Sequence, residues 1–161
     1  MAGFYSCGDD VQPLFDLEYE VDFTIDPGLN TIDTHVYTIR DVPSLLSDYA
    51  AINGVIVDSI KSGAPNRATL TTVFQNINYD FLDQMSVWMF SSSNPSDNQE
   101  IFFIDFVELN EDNEVRLLSS LANVIDYLRE GKFDIEVRLR LRSFSPAEIN
   151  SRLIFNITAF D

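Results

Sequence analysis

Residues 15–25, FDLEYEVDFTI, alternate without a fault: Phe15, Leu17, Tyr19, Val21, Phe23 and Ile25 are apolar, and Asp16, Glu18, Glu20, Asp22 and Thr24 between them are polar. A period of two is the period of an extended strand, so every apolar side chain falls on one face and every carboxylate on the other. Asp26-Pro27-Gly28 breaks the run with turn chemistry, and TIDTHVYTIR (31–40) reads as a returning strand. The same alternation recurs in FDIEVRLRLR (133–142), where Phe133, Ile135, Val137, Leu139 and Leu141 face one way and Asp134, Glu136, Arg138, Arg140 and Arg142 the other. Ser145-Pro146 punctuates, and RLIFNITAF (152–160) makes a last strand. The acidic face of 15–25 and the arginines of 133–142 are complementary, which predicts that these segments pair or lie close in one sheet.

Between these ends, VIVDSI (55–60), ATLTTVF (68–74), QMSVWMF (84–90) and IFFIDFVEL (101–109) are short and rich in β-branched or aromatic residues, and are expected as strands. Polar loops such as SSSNPSDNQ (91–99) separate them. Two segments read as helices. SLLSDYAAI (44–52) ends at Asn53-Gly54, and SSLANVIDYLRE (119–130) carries Leu121, Val124, Ile125 and Leu128 at helical spacing, expected to face inward, before a capping Gly131. Many short strands with two connecting helices argue for an antiparallel β-sandwich, immunoglobulin-like or jelly-roll-like, with an eight-stranded barrel as its main competitor. The expected organisation is a tether over 1–12 and one β-sandwich domain over 13–161.

The chain of 161 residues is long enough to bury a core, and its 13 Phe and 6 Tyr mark a folded protein. Its 26 acidic and 10 basic residues give a formal charge of -16, which repels phosphate backbones, so nucleic acid is not expected as a partner. Basic protein patches, cations and uncharged glycans remain open. No apolar run approaches the ~18 residues of a membrane span.

Chemistry finds little support. His35 is the sole histidine, it lies in an expected strand, and no G-x-S-x-G motif accompanies it. Asp16, Glu18, Glu20 and Asp22 offer the paired carboxylates of glycoside hydrolysis, but alternation on an exposed strand face accounts for them. Trp88, the single tryptophan, reads as a core residue of QMSVWMF rather than a sugar-stacking platform. The loops LNEDNEV (109–115) and NPSDNQE (94–100) cluster oxygen ligands suited to calcium, without the twelve-residue helix–loop–helix pattern. The sequon Asn156-Ile157-Thr158 falls inside an expected strand. No enzyme activity, catalytic residue, metal site or cofactor is expected.

The only cysteine, Cys7, stands in SCGDD (6–10), so no internal disulfide can form. A small residue, then cysteine, then an acidic stretch resembles the mature start of a Bacteroidota surface lipoprotein. That resemblance implies a hydrophobic stretch upstream, cleavage before Cys7, acylation of Cys7, and a site on the outer membrane, exposed at the cell surface. Asp58-Ser59-Ile60 resembles the short O-glycosylation acceptor of the same group. The implied function is that of a non-catalytic cell-envelope lipoprotein, joined to the membrane by its lipid anchor and acting as an interaction module or accessory subunit for a protein partner. The alternatives are a carbohydrate-binding module with a glycan ligand, or a structural fibre subunit that exchanges strands.

Overall fold

The computed structural model describes residues 11–109 and 113–161, so the SCGDD segment with Cys7 lies outside the described residues. The chain forms β1 (Pro13–Ile25), β2 (His35–Pro43), α1 (Leu46–Ile52), a 3₁₀ turn (Val57–Ser59), β3 (Ser62–Thr72), β4 (Leu82–Ser91), β5 (Asn98–Ile104), β6 (Glu114–Ser119), α2 (Ile125–Arg129), β7 (Lys132–Leu141) and β8 (Ile149–Phe160). The strands make one antiparallel sheet in the order β1-β8-β3-β6-β5-β4-β7-β2. β1 and β2 are consecutive in sequence yet occupy opposite edges of the sheet. A loop over 26–34 joins them, so the sheet curls until its edges approach, and the result is nearly a barrel. Phe23 of β1 and Tyr37 of β2 meet across that seam with ring centroids 5.2 Å apart.

The alternation of β1 and β7 is realised as expected. Leu17, Tyr19, Val21, Phe23 and Ile25 are buried, as are Phe133, Ile135, Val137, Leu139 and Leu141. Tyr19 stands at the centre, edge-on to Phe133 at 5.2 Å and stacked on Phe155 of β8 at 5.1 Å. Its hydroxyl donates to the Ser44 carbonyl at 2.5 Å, and burial pushes its pKa well above the ordinary phenol value. Each fully buried side chain of this size contributes about 1.5–3 kcal/mol. Among the described residues, no buried side-chain polar atom lacks a hydrogen-bond partner.

The expected pairing of 15–25 with 133–142 is corrected. The two strands share the sheet but β8, β3, β6, β5 and β4 separate them. β1 pairs with β8, which sets Asp22 opposite Arg152. Arg152 then bonds Asp22 at 2.7 Å and Glu20 at 2.9 Å, while Arg138 turns to Glu136 of its own strand at 2.6 Å. Burial of the apolar faces fixes strand order, and surface charges take whichever partners result.

Other boundaries move for local reasons. VIVDSI is no strand: its middle is the 3₁₀ turn, in the crossover from β2 to β3. β3 starts at Ser62, six residues before the expected strand, and contains Pro65. Proline is tolerated there because β6 pairs only with Ala68–Thr71, leaving the proline stretch a neighbour on one side only. The expected strand 101–109 ends at Ile104, and EVRLLS forms β6, which the sequence reading did not single out. The helix expected over 119–130 shrinks to Ile125–Arg129. Val124, Ile125 and Leu128 are buried as expected, but Leu121 is fully exposed. Likewise α1 begins at Leu46, after Leu45 in a left-handed conformation.

Candidate functional site

The strand register sorts the loops into two ends. At the base, Gln12 and Asp161 bond each other's backbones and side chain, and the segments 44–61, 92–97 and 120–131 gather around them. There Glu130, just after α2, accepts hydrogen bonds from the Oγ of Ser91, Ser92 and Ser93 and from the backbone N–H of Ser92 and Ser93. Partial desolvation works against its charge, but these donors win and hold the carboxyl down to about 2. Tyr127 donates to Asp97 at 2.6 Å, and burial together with that carboxylate pushes its pKa up to about 12. These bonds clamp the β4–β5 turn to α2.

At the opposite end, the crown, the segments 26–34, 73–81, 105–109 and 142–148 converge, since Ile25 pairs with Ile149, Thr72 with Ser151, Leu82 with Leu141 and Met85 with Ile104. Ser145 ties two of them: it accepts from Gly28 N at 2.9 Å and from Leu29 N at 2.8 Å, and its Oγ donates to Asp26 O at 2.6 Å. Arg142 ties two more. It donates to Leu82 O at 2.8 and 3.1 Å and to Val107 O, and its guanidinium lies 4.9 Å from the Phe106 ring centre. Tyr79 anchors the 73–81 loop inward by donating to Ser151 Oγ at 2.9 Å, and burial raises its pKa to about 12.

This scaffold displays large apolar side chains. Phe74 is fully exposed, Phe144 is 66% exposed and Phe106 61% exposed, with Ile32 and Leu109 also in solvent. Phe74 has φ +55°, a left-handed conformation that costs a side-chain-bearing residue roughly 1–2 kcal/mol. Its neighbours hold it there. Val73 N donates to Asn150 O, Thr72 Oγ1 to Gln75 O, Gln75 Nε2 to Glu148 O, and Gln75 Oε1 accepts from Asn150 N, all between 2.8 and 3.0 Å. The strain at Phe74 is thus held in place by its surroundings, at a ring that faces water. Two clefts of about 420 Å³ open at this end. One lies beside Phe74, between Asp22, Thr24, Gln75 and Asn150; the other is lined by Tyr79, Ile104, Phe106, Val107, Glu114 and Arg116.

The candidates read from the sequence lie elsewhere or serve the fold. His35 Nε2 contacts the Asn30 carbonyl at 2.8 Å and steadies the 26–34 turn. Asp16 accepts from Thr158 Oγ1 at 2.6 Å, and Glu20 and Asp22 face Arg152, which lowers the Asp22 pKa by hydrogen bonding. Asn156 is nearly buried and accepts from Arg67 N at the bulge in β3. Ser59 is exposed and donates to Ile56 O at 2.7 Å. In the 94–100 loop Asp97 serves Tyr127, and the 109–115 loop lies partly outside the described residues. Among the described residues, no three His, Cys, Asp or Glu side chains converge as a metal site.

Trp88 corrects the sequence reading. It is no core residue but sits half-buried on the outer face of β4, with the Arg138 guanidinium 4.4 Å above its ring and its Nε1 donating to Ser86 Oγ. Phe90, two residues along, and Phe103, opposite Ser86, share that face. Sequence reasoning missed the crown altogether. The signal was present in part, because Phe74, Phe106 and Phe144 each stand just beyond a strand end beside turn-forming residues.

Fold and crown together describe a β-rich domain that exposes aromatic rings at one end. No protein-family profile matches the chain, and no curated protein sequence is significantly similar to it.

Proposed function

We propose that the protein is a non-catalytic cell-envelope lipoprotein, anchored through Cys7 at the outer membrane and surface-exposed, whose domain is an interaction module. In this reading the curled sheet is a β-sandwich in its working sense, two layers, β1-β8-β3-β6 and β5-β4-β7-β2, closing over one core. The observation that carries the reading is the polarity of the fold. Gln12 enters at the base beside Asp161, while Phe74, Phe106 and Phe144 are displayed at the crown. A lipid on Cys7 would therefore leave the crown facing away from the bilayer. The decisive experiment is mass spectrometry of the native N-terminus with membrane fractionation. An acylated Cys7 at the mature terminus, and release of Cys7→Ser into the soluble fraction, are the expected results; an unmodified Cys7 still preceded by Ser6 overturns anchoring.

A glycan-binding module is the second reading, favoured by Trp88, Phe90 and Phe103 on the outer face. Arg138 over the Trp88 ring occupies part of the surface a sugar would stack on, which ranks this reading below the first. The strand-exchanging fibre subunit is less favoured still, because the seam between β1 and β2 is bridged near the base. There Phe15 stacks on Tyr49 of α1 at 6.3 Å and Tyr19 bonds Ser44.

A further inference from the structure

We infer that the crown docks a protein partner whose surface offers apolar pockets ringed by lysine or arginine. This deepens the interaction-module reading above and rests on it. The apolar half of the argument is Phe74, Phe106 and Phe144, three rings on three different loops that the register brings to one end. Phe106 and Phe74 are not floppy: Arg142 stacks on the first, and bonds from Val73, Thr72 and Gln75 to their neighbours pin the loop of the second. Rigid aromatic anchors lose little entropy on burial and supply most of the energy at interface centres.

The charge half decides the occupant. The crown loops carry Asp26, Asp33, Asp105, Glu108 and Glu148 as exposed carboxylates; Arg142, their single arginine among the described residues, is turned inward onto Leu82 and Val107, and the exposed Arg116 of β6, at the cleft beside Phe106, is paired with Glu114 at 3.2 Å. A negative rim around apolar anchors is matched by a positive rim around apolar pockets, which speeds encounter and rejects wrong partners. The same rim excludes the other occupants. A second copy of this chain brings its own carboxylates and a charge of -16 to the contact, and an anionic lipid surface is repelled likewise. A neutral glycan leaves the carboxylates without a counter-charge.

The test is photo-crosslinking in the native host, with a benzoylphenylalanine in place of Phe74, Phe144 or, as a control, Trp88. The crosslinked protein is then identified, purified and titrated against the domain. The expected result is the same adduct from 74 and 144 but not from 88. The isolated pair should weaken about tenfold or more as salt shortens the Debye length from about 30 Å to about 8 Å, and by a similar factor in Phe74→Ser. A salt-insensitive pair, an adduct between two copies, an adduct with lipid, reaction only from position 88, or no adduct from 74 and 144 overturns the proposal. Anchoring is judged separately by Cys7→Ser. If the purified pair binds as described while Cys7→Ser stays with the membrane, docking stands and the lipoprotein reading falls.

Discussion

Phe74 combines two costs, a left-handed backbone and a ring in water, and neither returns anything to the fold of the isolated domain. Phe74→Asn should therefore fold as well or better, with stability raised by up to about 1 kcal/mol, because asparagine tolerates that backbone region. Urea denaturation checks this, and a marked loss of stability would mean that the ring packs against something in the fold. Arg142 is the opposite kind of residue. Removing its bonds to Leu82 O and Val107 O in Arg142→Met should cost about 1.5–3 kcal/mol, and should loosen residues 105–109 in hydrogen exchange. Arg142 could be recognised from its sequence as one of three outward arginines in an alternating strand. That it alone reaches across two loops could not, since only the chain's return brings Val107 to it.

α2 is five residues long and owes its place to packing rather than propensity. Leu128→Ala should cost about 2–5 kcal/mol, whereas Leu121→Ala, at a fully exposed position, should change stability by less than about 0.5 kcal/mol. Equal effects in thermal melts would contradict the helix boundaries. Glu130, which latches the Ser91–Ser93 turn to this helix, makes the element pH-sensitive. Its folded pKa of about 2 lies below its unfolded value of 4.5, so its contribution is complete above pH 4.5 and disappears as pH falls towards 2. Stability of Glu130→Gln should accordingly decline less steeply than that of the wild type across this window, measured by urea midpoints at each pH. The helical spacing of Val124, Ile125 and Leu128 was legible in the sequence. The loss of the first turn was not, because β6 claims residues up to Ser119 and Asn123 is committed to bonding Gly63 N.

For the molecule as a whole, the two ends of the curled sheet differ: the base gathers both described ends of the chain, and the crown exposes Phe74, Phe106 and Phe144. If residues 1–12 are a tether, deleting residues 1–10 should leave the melting temperature unchanged within about 1 °C, equivalent to a few tenths of a kcal/mol for a domain of this size. A drop of several degrees would show that this segment belongs to the domain.

The sequence by itself determined the strands with unbroken alternation, 15–25 and 133–142, together with their inward faces, and marked 152–160 as a last strand. Period two has one solution for a strand that must bury apolar side chains on one face and leave the other to water. It also determined the acidic surface, since formal charge does not depend on folding. Strand order, the curl that brings consecutive β1 and β2 to opposite edges, the outward position of Trp88 and the gathering of Phe74, Phe106 and Phe144 were decided only by tertiary structure. These depend on which apolar faces close over one another across long stretches of chain. Local patterns say which face is buried, and only the packed sheet says beside what.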